Sequence, residues 1–312
     1  MEPSNLYPKE LIKALGKPKP PSTIWQKPFD YIPGHCQRIA DQGFEASLQD
    51  ILEYFLDYQY MEVQRDLFKF VLPIAFQAWA KTLLGPNRPF DGMWQAFDRR
   101  PPHPNYLSGA EFEALNSFVR RILFKRLQNE SELSFRGSEA SPYLWAEQFM
   151  NAVYVFPIIE SLWTEWWTVD APWKAICGLQ WWSGFMYWRN ESPIFGEWTR
   201  EDGGGNICPY ETSYLKYRPA RVENIDFLKQ HMSLSHAKKS ILACCDFLAG
   251  TKHEAIAEEM RFDLEIQSDF LAMNIKKFLN LIQMKEGHQY LFWSDIPEEL
   301  DSNALPAVIH LA

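Results

Sequence analysis

The densest group of residues that could do chemistry is acidic and lies near the C-terminal end of the chain. Glu254 and Glu258 are four positions apart, and His253 precedes them, in a segment whose pattern predicts a helix. A spacing of four places two carboxylates on one helix face, where they can bind a metal ion. The metal-site hypothesis therefore takes His253, Glu254 and Glu258 as ligands. The alternative is a solvated charged face, which is the usual role of such a run. Because the chain has no Glu-x-x-His motif, we predict no metal and no cofactor.

A second group of carboxylates lies close in sequence to the chain's aromatic residues. An enzyme, or a small-molecule binder with a Trp-lined pocket, could use them as general acid and base. The residues in these roles would be Glu160, Glu165, Asp170 and Glu191. The chain contains no P-loop, dinucleotide fingerprint, nucleophile elbow or His-Glu-x-x-His motif. We therefore favour a protein without catalytic residues and keep the enzyme as the alternative hypothesis.

Two shorter motifs have simpler interpretations. His35 and Cys36 are neighbours in the chain, but catalytic pairs are recognised by geometry rather than by adjacency, so we assign them no role. The run Gly203, Gly204 and Gly205 lacks the strand, helix and lysine of a phosphate loop, and an isolated glycine run is typical of a turn or hinge.

Aromatic residues are concentrated between Tyr143 and Trp198, a segment that holds nine of the chain's 13 tryptophans. Their spacing is helical, and side chains of this size must be largely buried against the chain, a ligand or a partner. One interpretation makes them the core. The other makes part of them a pocket or docking surface. The residues of that ligand or partner surface would be Trp163, Trp166, Trp167, Trp182, Trp188 and Trp198, with Gly203, Gly204 and Gly205.

The remaining pattern predicts an all-α fold. Apolar residues recur at helical spacing from Leu48 to Leu56, and Asp50, Glu53 and Asp57 fall on the other side of that helix. Similar segments follow along the chain, separated by long Pro- and Gly-rich connections. We expect roughly ten helices in a two-layer array of helical hairpins around a Trp-rich central helix pair, with little or no β-structure.

Capping-box patterns predict helix starts at Ser108 and Thr251, Pro157 predicts a kinked or restarted helix, and Pro172 predicts a further start. The last two helices are expected over 251–260 and 262–284, with a break at Arg261.

The predicted organisation has four parts within what we expect to be one domain. Residues 1–43 form a Pro-rich arm packed on the body, and residues 44–189 form a helical lobe with the Trp-rich core. Residues 190–221 form a long Gly/Pro loop, where any domain boundary should fall. Residues 222–312 form a C-terminal helical lobe.

Charge and cysteine content narrow the class of function. The net charge is −9 and no Lys/Arg-rich run is present, which argues against nucleic acid or an anionic membrane as the main partner. The start of the chain has no signal-peptide pattern, and the five cysteines have no regular spacing, so we predict a reduced, cytoplasmic protein. We expect a non-catalytic, acidic, α-helical interaction protein that sequesters or neutralises a protein partner in the manner of an immunity protein. The negative charge favours a basic partner.

Overall fold

The computed structural model describes residues 6–29, 34–85, 90, 92–134, 142–187, 191–192, 196–197 and 222–281. Within these residues the chain forms fourteen α-helices, and the all-α prediction is confirmed. The number exceeds ten because the Pro-rich segments contain short helices. The helices are α1 Lys9–Ala14, α2 His35–Gln42, α3 Leu48–Tyr60, α4 Arg65–Leu83, α5 Gly92–Arg99, α6 Pro102–Asn105, α7 Gly109–Gln128, α8 Pro142–Val155, α9 Ile159–Trp167, α10 Pro172–Met186, α11 Val222–His231, α12 Leu234–Leu248, α13 Glu254–Ile266 and α14 Ser268–Leu281.

The described β-structure is one antiparallel pair of two-residue strands, β1 Glu191–Ser192 and β2 Gly196–Glu197. No described helix combines the length and the apolar character that crossing a bilayer requires.

The chain divides into two compact units, Met1–Arg126 and Leu127–Ala312. This division differs from the lobes expected at 44–189 and 222–312. It falls inside α7 rather than in the segment 190–221, most of which lies outside the described residues.

The first unit is organised around α3, which packs against α2 and α5. Ser47 caps α3 by accepting a hydrogen bond from the Asp50 N–H at 3.1 Å. The buried face of α3 joins an aromatic core in which neighbouring rings meet edge to face or stacked. Its members include Phe55, Tyr58, Phe68, Phe76, Trp79, Trp94 and Phe97.

The N-terminal arm is tied to the start of α4 by amide groups. The Gln64 side chain accepts from the Trp25 N–H at 2.8 Å and donates to the Thr23 carbonyl at 2.8 Å. The Gln26 side chain in turn accepts from the Gln64 N–H at 2.9 Å. These bonds satisfy backbone groups of an extended segment that has no ladder of its own.

The second unit is built on α8, α9 and α10, the Trp-rich helices. Pro157 separates α8 from α9, as the sequence predicts, and α10 begins at Pro172. The junction between α8 and α9 is closed by Asn224 of α11. Its amide donates to the Val153 and Phe156 carbonyls at 2.6 and 2.7 Å and accepts from the Ile159 N–H at 3.2 Å.

Two C-terminal boundaries differ from the sequence prediction. Thr251 was expected to cap α13, but its hydroxyl donates to the Leu248 carbonyl at the end of α12, and α13 begins only at Glu254. The expected break near Arg261 is also wrong. The helix continues to Ile266, with Arg261 paired to Glu258 at 3.1 Å and to Asp246 of α12 at 2.6 Å.

Candidate functional site

The most concentrated group of reactive side chains lies in the first unit, where α2 meets α3. His35 Nε2 lies 2.6 Å from Asp57 Oδ2, and the Cys36 thiol lies 3.8 Å from the same oxygen. All three residues are buried, and one potential ligand atom from each lies within 4.8 Å of the others. We call these three residues the His–Cys–Asp cluster.

Local backbone geometry brings the cluster together. The chain enters α2 through Gly34 at φ +90°, a left-handed conformation that side-chain-bearing residues rarely adopt. The turn places His35 and Cys36 in the first turn of α2, against the third turn of α3 that carries Asp57. The second Asp57 oxygen, Oδ1, accepts the Phe29 N–H at 2.6 Å, so this carboxylate also holds the arm.

The electrostatics of the cluster favour a protonated imidazole. Burial by itself lowers the pKa of His35, but its hydrogen bonds to Asp57 and Cys36, with the charges of both, outweigh burial and raise that pKa to about 10. His35 is therefore an imidazolium at neutral pH, and it neutralises a carboxylate that is only 2 % exposed. An unpaired charge at this depth would cost several kcal/mol.

A buried phenol accompanies the cluster. Tyr54 precedes Asp57 by three residues and therefore lies on the same side of α3. Its hydroxyl is buried, and no described residue is its hydrogen-bond partner. Burial raises the pKa of Tyr54, and the charges of Cys36, Tyr58 and Asp57 raise it further, which places the phenol in the field of the cluster.

The acidic residues of α3 lie on a covered side of the helix. Asp50, Glu53 and Asp57 are all buried. Asp50 accepts two hydrogen bonds from Arg38 at 2.6 and 2.8 Å, because α2 and the arm cover this side of the helix. Periodicity along α3 marks the polar side but carries no information about what packs on it.

The tryptophans proposed as a ligand or partner surface are mostly interior. Trp163, Trp166 and Trp182 are buried and pack in the core of the second unit. Trp181 meets Trp163 and Trp166 edge to face, with ring centroids 5.5 and 5.7 Å apart. Trp167 is half-buried and stacks on His236 at 5.6 Å.

Five indole N–H groups in this core are buried without a hydrogen-bond acceptor among the described residues. They are the Nε1 groups of Trp163, Trp166, Trp167, Trp181 and Trp182. Their perpendicular ring pairs offer aromatic faces to neighbouring ring edges, and N–H···π contacts of this kind are weak but recurrent. The arrangement is that of a packed aromatic core.

The proposed surface residues Trp188, Trp198, Gly203, Gly204 and Gly205 lie outside the described residues, as does the side chain of Glu191. The other three carboxylates of the enzyme hypothesis do not converge. Glu160 and Glu165 are exposed, and Asp170 pairs with Lys174 at 2.7 Å on the surface.

The predicted metal ligands near residue 254 are also separate. His253 is buried, and its Nε2 lies 3.0 Å from the Ser131 carbonyl oxygen. Glu254 is exposed, and Glu258 pairs with Arg261. Among the residues that the structure describes, the His–Cys–Asp cluster is instead the group with metal-ligand spacing.

An exposed apolar pair lies on α13. Phe262 and Ile266, one helical turn apart, are 64 % and 68 % exposed. We call these two side chains, with the flanking exposed carboxylates Glu258 and Glu265, the Phe262 face. Sequence reasoning missed it because Phe262 was assigned to a separate helix.

Comparison with known proteins gives no relative: no protein-family model matches, and no curated protein or solved structure is significantly similar. The function has to be argued from the residues themselves.

Proposed function

We propose that the protein is a non-catalytic helical binding protein of the cytosol that sequesters a basic protein partner through the Phe262 face. The observation that carries the proposal is the pair of large, strongly exposed apolar side chains on an acidic helix. Exposed aromatic and aliphatic side chains that are rimmed by polar groups commonly mark interaction sites.

Charge determines the kind of partner. Helix α13 contains the acidic residues Glu254, Glu258, Glu259, Asp263 and Glu265 and one basic residue, Arg261, which is paired with Asp246 and Glu258. The whole chain carries a net charge of −9. A cationic amphipathic helix complements this surface, because its apolar side can cover Phe262 and Ile266 while its lysines face the carboxylates.

The cysteines support the cytosolic placement. Cys36, Cys244 and Cys245 are buried free thiols, the state that a reducing compartment maintains. Burial, the first cause in each case, raises the pKa of Cys244 to about 12 and of Cys245 to about 11, so both stay protonated and unreactive. Cys208 lies outside the described residues.

The test uses the full-length protein and a fluorescent synthetic helix of leucine and lysine, with leucines at i, i+3, i+4 and i+7. Fluorescence anisotropy should show tight binding of this peptide and at least tenfold weaker binding of a matched leucine–glutamate peptide. Phe262→Ala and Ile266→Ala should each weaken binding about tenfold, since burying such a side chain contributes about 1.5–3 kcal/mol.

The matched control is Val222→Ala, which removes an apolar side chain that is 69 % exposed on α11. Its affinity should equal that of the wild type. Equal binding of the two peptides, or wild-type affinity in Phe262→Ala, would refute the proposal. A dimer that dissociates on Phe262→Ala substitution would show that a second copy of the chain, rather than a basic partner, covers the face.

A further inference from the structure

The His–Cys–Asp cluster combines three different donor atoms in one buried place. An imidazole nitrogen, a thiol sulfur and a carboxylate oxygen are the three donor types that zinc takes from proteins. Their convergence is tertiary: His35 and Cys36 begin α2, and Asp57 comes from the third turn of α3. We propose that this cluster is a zinc site in which His35, Cys36 and Asp57 bind one Zn²⁺.

The donor separations are close to those of a tetrahedral site. Zinc–sulfur bonds of about 2.3 Å and zinc–nitrogen or zinc–oxygen bonds of about 2.0–2.2 Å place pairs of ligand atoms roughly 3.4–3.6 Å apart. The separation of Cys36 Sγ from Asp57 Oδ2, 3.8 Å, already approaches this value. The 2.6 Å contact between His35 and Asp57 is a hydrogen bond and has to lengthen by under 1 Å when an ion replaces its proton.

Charge compensation also supports a divalent ion. Zinc takes cysteine as a thiolate, aspartate as a carboxylate and histidine as a neutral imidazole, so the two charges of Zn²⁺ balance those of its ligands. All three ligands are buried, and this balance avoids the cost of an uncompensated buried charge. Protons displaced from the ligands pass to solvent.

The Tyr54 hydroxyl is a second, independent indication that this region binds a ligand. This hydroxyl is completely buried and has no hydrogen-bond partner among the residues that the structure describes, on the side of α3 that carries Asp57. Buried polar atoms without protein partners often bind an ordered water or ion. Three protein ligands leave the fourth zinc position to a water molecule, to which this phenol can donate a hydrogen bond.

The site has a structural consequence for the arm. Asp57 holds the Phe29 N–H through its other oxygen, so an ion on Oδ2 would join the arm, α2 and α3 at one point. All three ligands are buried, so the ion would hold these segments together in the interior of the first unit.

The experiment titrates Co²⁺, a spectroscopic substitute for zinc, into chelator-treated full-length protein. We expect cysteinate-to-cobalt charge-transfer absorption and tetrahedral d–d bands that saturate at one equivalent and disappear when Zn²⁺ is added. Cys36→Ser should abolish the charge-transfer band, and His35→Gln and Asp57→Asn should weaken binding at least tenfold.

Two other thiols serve as controls. Cys245→Ser removes a buried thiol that donates to the Ala257 carbonyl at 3.2 Å, and Cys208→Ser removes the cysteine outside the described residues. Both variants should keep the full spectrum. Circular dichroism of each variant checks that the helices are retained.

A measurement on the wild type alone removes the dependence on variants. X-ray absorption at the zinc edge should show one sulfur and three nitrogen or oxygen neighbours, and Zn²⁺ should raise the unfolding temperature until a chelator is added. Absence of stoichiometric binding, binding without a sulfur neighbour, or a charge-transfer band that survives Cys36→Ser would overturn the proposal.

Discussion

Asn224 shows how one amide can replace a missing turn of helix. Where Pro157 interrupts the chain, the Val153 carbonyl at the end of α8 and the Ile159 N–H at the start of α9 lose their helical partners. The Phe156 carbonyl, just beyond α8, accepts the Ile158 N–H at 3.0 Å. The Asn224 side chain, which is buried, bonds all three. It has the two donors and the acceptor that this junction requires.

We predict that Asn224→Ala lowers the free energy of unfolding by about 2–5 kcal/mol, since it removes three hydrogen bonds to backbone groups, and a buried group that loses its partner costs about 1–3 kcal/mol. Urea unfolding followed by far-UV circular dichroism measures the change. Asn105→Ala is the control, because the Asn105 side chain makes one exposed hydrogen bond, to the Pro101 carbonyl, and its loss should cost less than about 1 kcal/mol. A loss in Asn224→Ala no larger than in the control would show that water replaces the amide.

His236 gives the second unit a dependence on pH. Its ring lies beside Trp167 and Trp182, and its buried Nε2 has no hydrogen-bond partner among the described residues. Burial is the main cause that lowers the pKa of His236, and the charges of His231 and Lys239 lower it further. The unfolded chain therefore binds this proton more readily than the folded chain. The stability that comes from neutral His236 is fully present above pH 6.5 and is lost as the pH falls through the lowered pKa.

We accordingly expect the unfolding temperature of the wild type to fall more between pH 7 and pH 5 than that of His236→Gln, which cannot be protonated. Differential scanning calorimetry over this range provides the comparison, and carboxylates that titrate in both proteins cancel in the difference. Parallel curves for the two proteins would mean that His236 has the same pKa in the folded and unfolded chains.

At the scale of elements, the close approach of α10 and α12 depends on Gly178. A Cβ added to this residue would lie 2.7 Å from Cys244 Sγ, closer than side chains tolerate. Cys244 is itself buried in α12. Glycine at this position lowers the intrinsic stability of α10 but allows α10 and α12 to approach closely.

Gly178→Ala should therefore lower the free energy of unfolding by about 1–3 kcal/mol, the usual cost of overpacking, although alanine favours helix by about 1 kcal/mol over glycine. Combining it with Cys244→Ala should recover most of the loss, and a double-mutant cycle in urea measures the coupling. Gly109→Ala, at the open start of α7, is the control and should be neutral or stabilising. Equal stability of the two alanine variants would contradict the close-contact argument.

The sequence predicts elements better than it predicts their neighbours. Proline and capping residues correctly mark the start of α10 and of α7, where Ser108 and Glu111 form the expected reciprocal capping box at 2.7 and 3.3 Å. Thr251 does not begin α13, because its hydroxyl donates to the Leu248 carbonyl at the end of α12. The local sequence pattern does not indicate this hydrogen bond.

The candidate zinc site was not predictable for a related reason. The pattern of α3 places Asp57 on the polar side, but only the tertiary fold shows that α2 covers that side with His35 and Cys36. Two of the ligands, His35 and Cys36, are neighbours in the sequence, but the third, Asp57, lies 22 positions after His35. No spacing rule connects them.

For the molecule as a whole, the net charge of −9 and the Phe262 face should make separate contributions to partner binding. Attraction between an acidic protein and a cationic helix is screened by salt, with a Debye length of about 10 Å at 0.1 M. Burial of apolar surface is far less sensitive to salt. Binding of the leucine–lysine peptide should therefore weaken steadily as NaCl rises, without disappearing at high salt.

Two variants distinguish these contributions by fluorescence anisotropy across the salt series. Phe262→Ala should lower the affinity by a similar factor at every salt concentration, because it removes apolar contact. Glu265→Gln should weaken binding at low salt and converge on the wild type at high salt, because it removes a screened charge beside the face. Glu10→Gln, which removes an exposed carboxylate from α1, is the control and should leave both affinity and salt dependence close to those of the wild type. If Glu10→Gln and Glu265→Gln reduce the salt dependence equally, the attraction belongs to the overall charge, and α13 is not where the cationic segment binds.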